Sequence, residues 1–145
     1  MELERERLSR DDEHARATIR ERRTCYIGLN RAARSYLNTI RGRSYALESP
    51  GHPARGDTSA VATARRDYQD KYSEAQMIVP DSVLQSARSL NLVIANAYSM
   101  LMRIEEGTSR PDESPESARK LVEEGFEALR SLRREMRREL GITAE

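Results

Sequence analysis

Between Pro80 and Gly107, Val83, Ala87, Leu90, Ile94, Ala97, Leu101 and Ile104 recur at spacings of 4-3-4-3-4-3. A strand, with its period of two, scatters such a row over both faces, whereas a helix gathers all seven positions on one stripe. Leu84, Val93 and Met100 widen that stripe. Asp81 is the expected N-cap and Gly107 the expected C-terminal glycine. A stripe of this length must be buried against other elements.

The helix breakers show where those elements lie. They cluster at Ser49–Asp57, at Pro80 and at Gly107–Pro115, leaving helical segments at about 19–48, 58–79, 82–106 and 115–140. In the first, Ile19, Tyr26, Leu29, Ala33, Tyr36, Leu37, Ile40 and Leu47 form the core row; in the second, Val61, Ala64, Tyr68, Tyr72 and Ala75. The short connection at Pro80 predicts a tight hairpin or a kinked rod. In the fourth, Ser114 caps and Pro115 opens the helix. Ala118, Val122, Gly125, Leu129, Leu132 and Met136 form its stripe, with Leu121, Phe126 and Leu140 beside it.

No proline precedes Pro50. The first helix can therefore start near the first residue, and its dense charge over residues 1–20 predicts an overhang or stalk ahead of a bundle spanning 21–145. The fold class expected is all-α: an antiparallel four-helix bundle with an extended, charged N-terminal helix.

Composition agrees. Charged residues make up 34% of the chain, with one Phe and no Trp, so it can fill narrow seams between helices but not a thick core. Charge is balanced, 25 Lys+Arg against 24 Asp+Glu, whereas polyanion binders show a basic excess. Only Lys71 and Lys120 are lysine. Arginine on this scale suits bidentate carboxylate or phosphate contacts, but its even scatter fits a GC-rich coding bias better. Cys25 is the lone cysteine, which fits a reducing compartment. With no signal peptide and no apolar run long enough for a bilayer, a cytoplasmic location is expected.

Chemistry-bearing residues are few. His14 and Cys25 lie about 16 Å apart along one helix, too far to pair. His52 falls in a Pro/Gly loop. Asp11 and His14 have an i, i+3 spacing seen in carboxylate–His metal sites, but no second such pair exists. Phosphate-cradling glycine motifs are absent. No catalytic residue, metal site or cofactor is therefore expected, and the chain reads as a non-enzyme.

Two clusters remain as candidate contacts. Arg130, Arg133, Arg134, Arg137 and Arg138 crowd the end of the fourth helix, where they can meet an anionic partner. Acidic-first, basic-last ordering also complements the helix dipole, and pairs such as Glu127–Arg130 and Glu135–Arg138 absorb charge locally. Tyr68, Tyr72 and Tyr98 can line an inter-helix pocket, although Tyr68 and Tyr72 coincide with the apolar stripe and fit seam packing. Asn91 either fixes register or bonds across a seam. Gly28 and Gly125 mark close helix approach or are neutral.

The run Tyr72-Ser73-Glu74-Ala75-Gln76-Met77-Ile78-Val79-Pro80-Asp81-Ser82-Val83-Leu84 resembles a segment of short, Arg- and Ala-rich helical-bundle proteins of actinobacteria, themselves uncharacterised. The likeness extends in style from about Glu21 to Leu140. Some of those proteins carry a membrane anchor ahead of a charged helix, so the resemblance implies a stalk beside an anchor or partner. It implies no activity, cofactor or site residue, and the apolar anchor segment has no counterpart here.

The function expected is a helical interaction or scaffolding module that buries a leftover apolar stripe, broadened by Leu84, Val93, Met100 and Leu121, against a protein partner or a second copy. The alternatives are a nucleic-acid-associated accessory protein using the Arg cluster and a small-molecule sensor using the tyrosine pocket.

Overall fold

The computed structural model describes residues 2–49 and 58–142. It is an all-α bundle of four helices, α1 (Glu2–Glu48), α2 (Ser59–Ile78), α3 (Asp81–Glu106) and α4 (Pro115–Glu139). They alternate in direction. Tyr68 on α2 meets Asn91 on α3, and Arg22, where the packed part of α1 begins, meets Glu139 at the end of α4. α1 packs closely on α2 and α4, and α3 on α4. α2 and α3 approach mainly through long side chains across a wider seam, joined at Val79-Pro80 as a hairpin.

Elementary rules fix the ends. Val79 is extended, as a residue ahead of proline must be. Ser114 accepts a hydrogen bond from the Ser117 amide, and Pro115 takes the first helical position. Gly107 closes α3 at φ 75°, the left-handed conformation that suits glycine. Asp81 is not the N-cap expected of it. Pro80 holds that position with no side-chain cap, and Asp81 lies in the first turn, where its charge still favours the positive helix end.

Val83, Ala87, Leu90, Ile94, Ala97 and Leu101 are buried as their spacing predicts, together with Leu29, Leu37, Ile40, Val122 and Leu132. The last position of the row departs from it. Ile104 is only partly buried, and Glu105 is buried instead. Arg43, from the diagonally placed α1, donates through Nε and Nη2 to the two Glu105 carboxylate oxygens, the Nη2 contact being 3.0 Å. A forked, charge-neutral pair thus replaces an aliphatic contact at this end of the core.

α1 has 47 residues and is about 70 Å long. Its first buried residue is Cys25. Residues 2–21 therefore project past the other helices as an arm of about 30 Å. Ile19, expected in the core, is 43% exposed because it lies on this arm, beyond the reach of α2 and α4. The arm stays helical by propagation from the packed part of α1, which needs no new nucleus. Local contacts help, among them Glu6–Arg10 at 3.7 Å and the Thr18 hydroxyl donating to the His14 carbonyl at 3.0 Å. No described helix is long and apolar enough to cross a membrane.

Candidate docking groove

Where the arm meets the bundle, α1 and α4 border a groove of about 450 Å³. Its floor is apolar: Tyr26, Ile27, Met136, Leu140 and Ile142. Its rim is cationic, with Arg23, Arg31 and Arg34 from α1 and Arg133 and Arg137 from α4. All five arginines are exposed, and none forms an ion pair among the described residues. Among the described residues, no carboxylate lines the groove. In a chain of near-zero net charge, that separation of sign is a local property of this face.

The wall is set by a polar clasp. Glu139, the last residue of α4, accepts from Arg22 Nη1 at 2.8 Å and from the Tyr26 hydroxyl. Burial pushes the Tyr26 phenol well above its ordinary range, and the Glu139 hydrogen bond raises it further. The phenol is thus a fixed donor. Glu139 is already occupied by this clasp, so it leaves the five rim arginines uncompensated. Beside it, the Asn30 amide donates to the Tyr26 carbonyl at 2.8 Å and approaches the Met136 sulfur at 2.9 Å. The Asn30 carbonyl oxygen lies buried with no partner among the described residues.

The arginine cluster at the end of α4 divides. Arg130 and Arg138 are paired with Glu127 at 2.5 Å and Glu135 at 2.9 Å. Arg133 and Arg137 turn to the groove. Arg134 is exposed and lies outside its lining. The three α1 arginines and Ile27 escaped the sequence reading, which followed the buried row of that helix. Their signal was present: Arg23, Ile27, Arg31 and Arg34 follow a 4-4-3 spacing on the opposite, exposed flank.

The tyrosines converge on the α2–α3 seam. Tyr68 and Tyr98 line a small cleft of about 210 Å³ floored by Tyr36 and Ile94; Tyr72 is not in its lining. Tyr72 stacks on Tyr68 with ring centroids 5.9 Å apart. The cleft's main polar groups bind one another: the Tyr68 hydroxyl donates to the Asn91 carbonyl oxygen at 2.9 Å, and the Arg65 guanidinium covers the Tyr98 ring at 4.5 Å. Asn91 therefore bonds across a seam. Burial raises the Tyr36 and Tyr68 phenols, which keeps them protonated.

Cys25 is buried at the α1–α2 contact, and burial, followed by the nearby Glu74 carboxylate, raises its thiol above the ordinary value. That is the reverse of an activated nucleophile. His14 and Asp11 are exposed on the arm, and no metal-holding group of side chains occurs among the described residues. His52 lies outside the described residues. Comparison with known protein families, curated proteins and solved structures finds no match to this chain.

Proposed function

We propose that this protein is a non-enzymatic helical interaction module that seats an acidic, amphipathic helix in the α1–α4 groove. The observation that carries this reading is the pairing of an apolar floor with five arginines that no carboxylate of the described residues neutralises. A helix presenting leucine between glutamates would bury its apolar face and satisfy the guanidiniums in one contact. The apolar surface available for this differs from the stripe-broadening residues of α3 and α4. Leu84, Val93, Met100 and Leu121 are partly buried, while Ile27 is 52% exposed on the groove floor.

The test is a titration with a designed helical peptide carrying leucines at i, i+4 and i+7 flanked by glutamates, read by anisotropy and by side-chain NMR of Ile27, Met136 and Ile142. Saturable binding that is lost in Arg133→Glu/Arg137→Glu is the expected result. Absence of binding, or binding indifferent to that change, overturns the reading. Tight, steeply salt-dependent binding of duplex DNA that requires Arg130, Arg134 and Arg138 as well would favour a nucleic-acid accessory role instead.

A further inference from the structure

The cleft in the α2–α3 seam differs between floor and mouth. On the floor, the Tyr68 and Tyr98 rings are each tilted against Tyr36, with centroids 5.5 and 6.2 Å from it. Ile94 is buried beside them. The hydrogen bond from Tyr68 to Asn91 ties the two helices at this depth. At the mouth, Arg65, Gln69 and Ser99 are exposed. The Gln69 and Ser99 side chains have no hydrogen-bond partner among the described residues. Arg65 carries the cleft's only charge. It has no carboxylate partner among the described residues. Asp67 and Asp70, the nearest carboxylates in sequence, line the α1–α2 surface instead. The Arg65 guanidinium is nonetheless held in place. It covers the Tyr98 ring at 4.5 Å, and its charge works against the upward push that burial gives the Tyr36 phenol. Ring contact uses the face of a guanidinium and leaves the N–H donors on its edge free.

We infer that the α2–α3 cleft is a second binding site, which takes an aromatic monocarboxylate of a single ring. Its volume of about 210 Å³ is below the roughly 300–1,000 Å³ of sites for larger ligands, so it holds one ring and not two. The ring lies against the tyrosines and Ile94. The carboxylate takes the free edge of Arg65 as a forked, charge-assisted pair, with the Ser99 hydroxyl and the Gln69 amide as further donors. A neutral ring leaves the guanidinium unanswered, and a carboxylate without a ring leaves the aromatic floor uncovered. The site is independent of the helix-docking groove, which lies on the α1–α4 side of the bundle.

Titration of the full chain with benzoate, followed by NMR of the tyrosine rings and the Ile94 methyls, tests it. The expected result is saturable binding in the roughly millimolar range, with the largest shifts at Tyr68, Tyr98 and Ile94. Benzamide and acetate each lack half of the recognised chemistry and should bind at least about tenfold more weakly. Arg65→Gln should weaken benzoate binding by a similar factor and leave the helical circular dichroism intact, since Arg65 is exposed. Ala95→Phe, on the exposed wall of the cleft, should plug it and abolish binding. Arg133→Glu/Arg137→Glu, which disables the groove, should leave benzoate binding unchanged. Shifts centred on Ile27 and Ile142 would put benzoate in the groove and overturn the inference. So would a titration that does not saturate, benzamide binding as well as benzoate, or binding indifferent to Arg65→Gln or Ala95→Phe. The peptide and benzoate titrations read different sides of the bundle, so either reading can fail without the other.

Discussion

Gly125 of α4 and Gly28 of α1 are both mid-helix glycines, and their surroundings give opposite predictions. A methyl group on Gly125 would lie 2.6 Å from Cδ2 of Leu37, a side chain with no exposure. Leu37 has nowhere to go, so the overpacking cost of about 1–3 kcal/mol exceeds the helix-propensity gain of about 1 kcal/mol. Gly125→Ala should therefore lower the urea midpoint. The same methyl on Gly28 would meet only the Lys71 chain, at 3.3 Å, and that chain is half exposed and can swing away. Gly28→Ala should be stabilising by roughly 0.5–1 kcal/mol. The buried Arg43–Glu105 pair makes a third case. Glu105→Ala removes the carboxylate on which the buried Arg43 guanidinium forks and should cost about 3–5 kcal/mol in chemical denaturation, whereas Arg43→Met/Glu105→Leu should cost far less.

At the scale of elements, the α3–α4 connection is clipped by charge. Arg103 donates from Nε to Glu113 at 2.8 Å, and the Arg110 amide donates to the same carboxylate at 2.9 Å. The Arg103 hydrogen bonds, then that of the Arg110 amide, hold the Glu113 carboxyl at about 2 against an ordinary 4.5. A depressed folded value means that the stabilisation is complete above pH 4.5 and is lost as pH falls towards 2. Thermal midpoints of wild type and Glu113→Gln should therefore differ near neutrality and converge in that acidic window. The clip was invisible in the sequence, because it depends on where a loop of irregular backbone returns to α3. The helices themselves were legible: each apolar row named its own buried face. What those rows could not convey was where α1 stops being packed. Ile19 continues the spacing of Tyr26 and Leu29 without a break, and only the lengths of α2 and α4 decide that it faces water. The groove was half legible for the same reason. Arg133 and Arg137 stood out in a cluster, but Arg23, Arg31 and Arg34 became a rim only once α4 lay against α1.

Over the whole molecule, protection against unfolding should be graded. α3 buries seven residues along its length, α2 buries four and has only a sparse seam with α3, and the arm buries none. Amide hydrogen exchange should accordingly be slowest in α3, α4 and the packed part of α1 from Cys25 to Ser44, faster in α2 and fastest over residues 2–21. Equal protection in arm and core in a dilute, monomeric sample would contradict this packing.

Because α1 continues without a break from arm to bundle, the compass bearing of Leu8 is locked to that of Tyr26 by helical phase. Two extra residues placed between Ile19 and Arg22 would swing every upstream side chain by about 200° and point Leu8 away from its present azimuth. Seven extra residues would return it to within about 20° and merely lengthen the reach by about 10 Å. The projecting segment thus behaves as a calibrated ruler, tolerant of added length in whole heptads and intolerant of fractions of a turn.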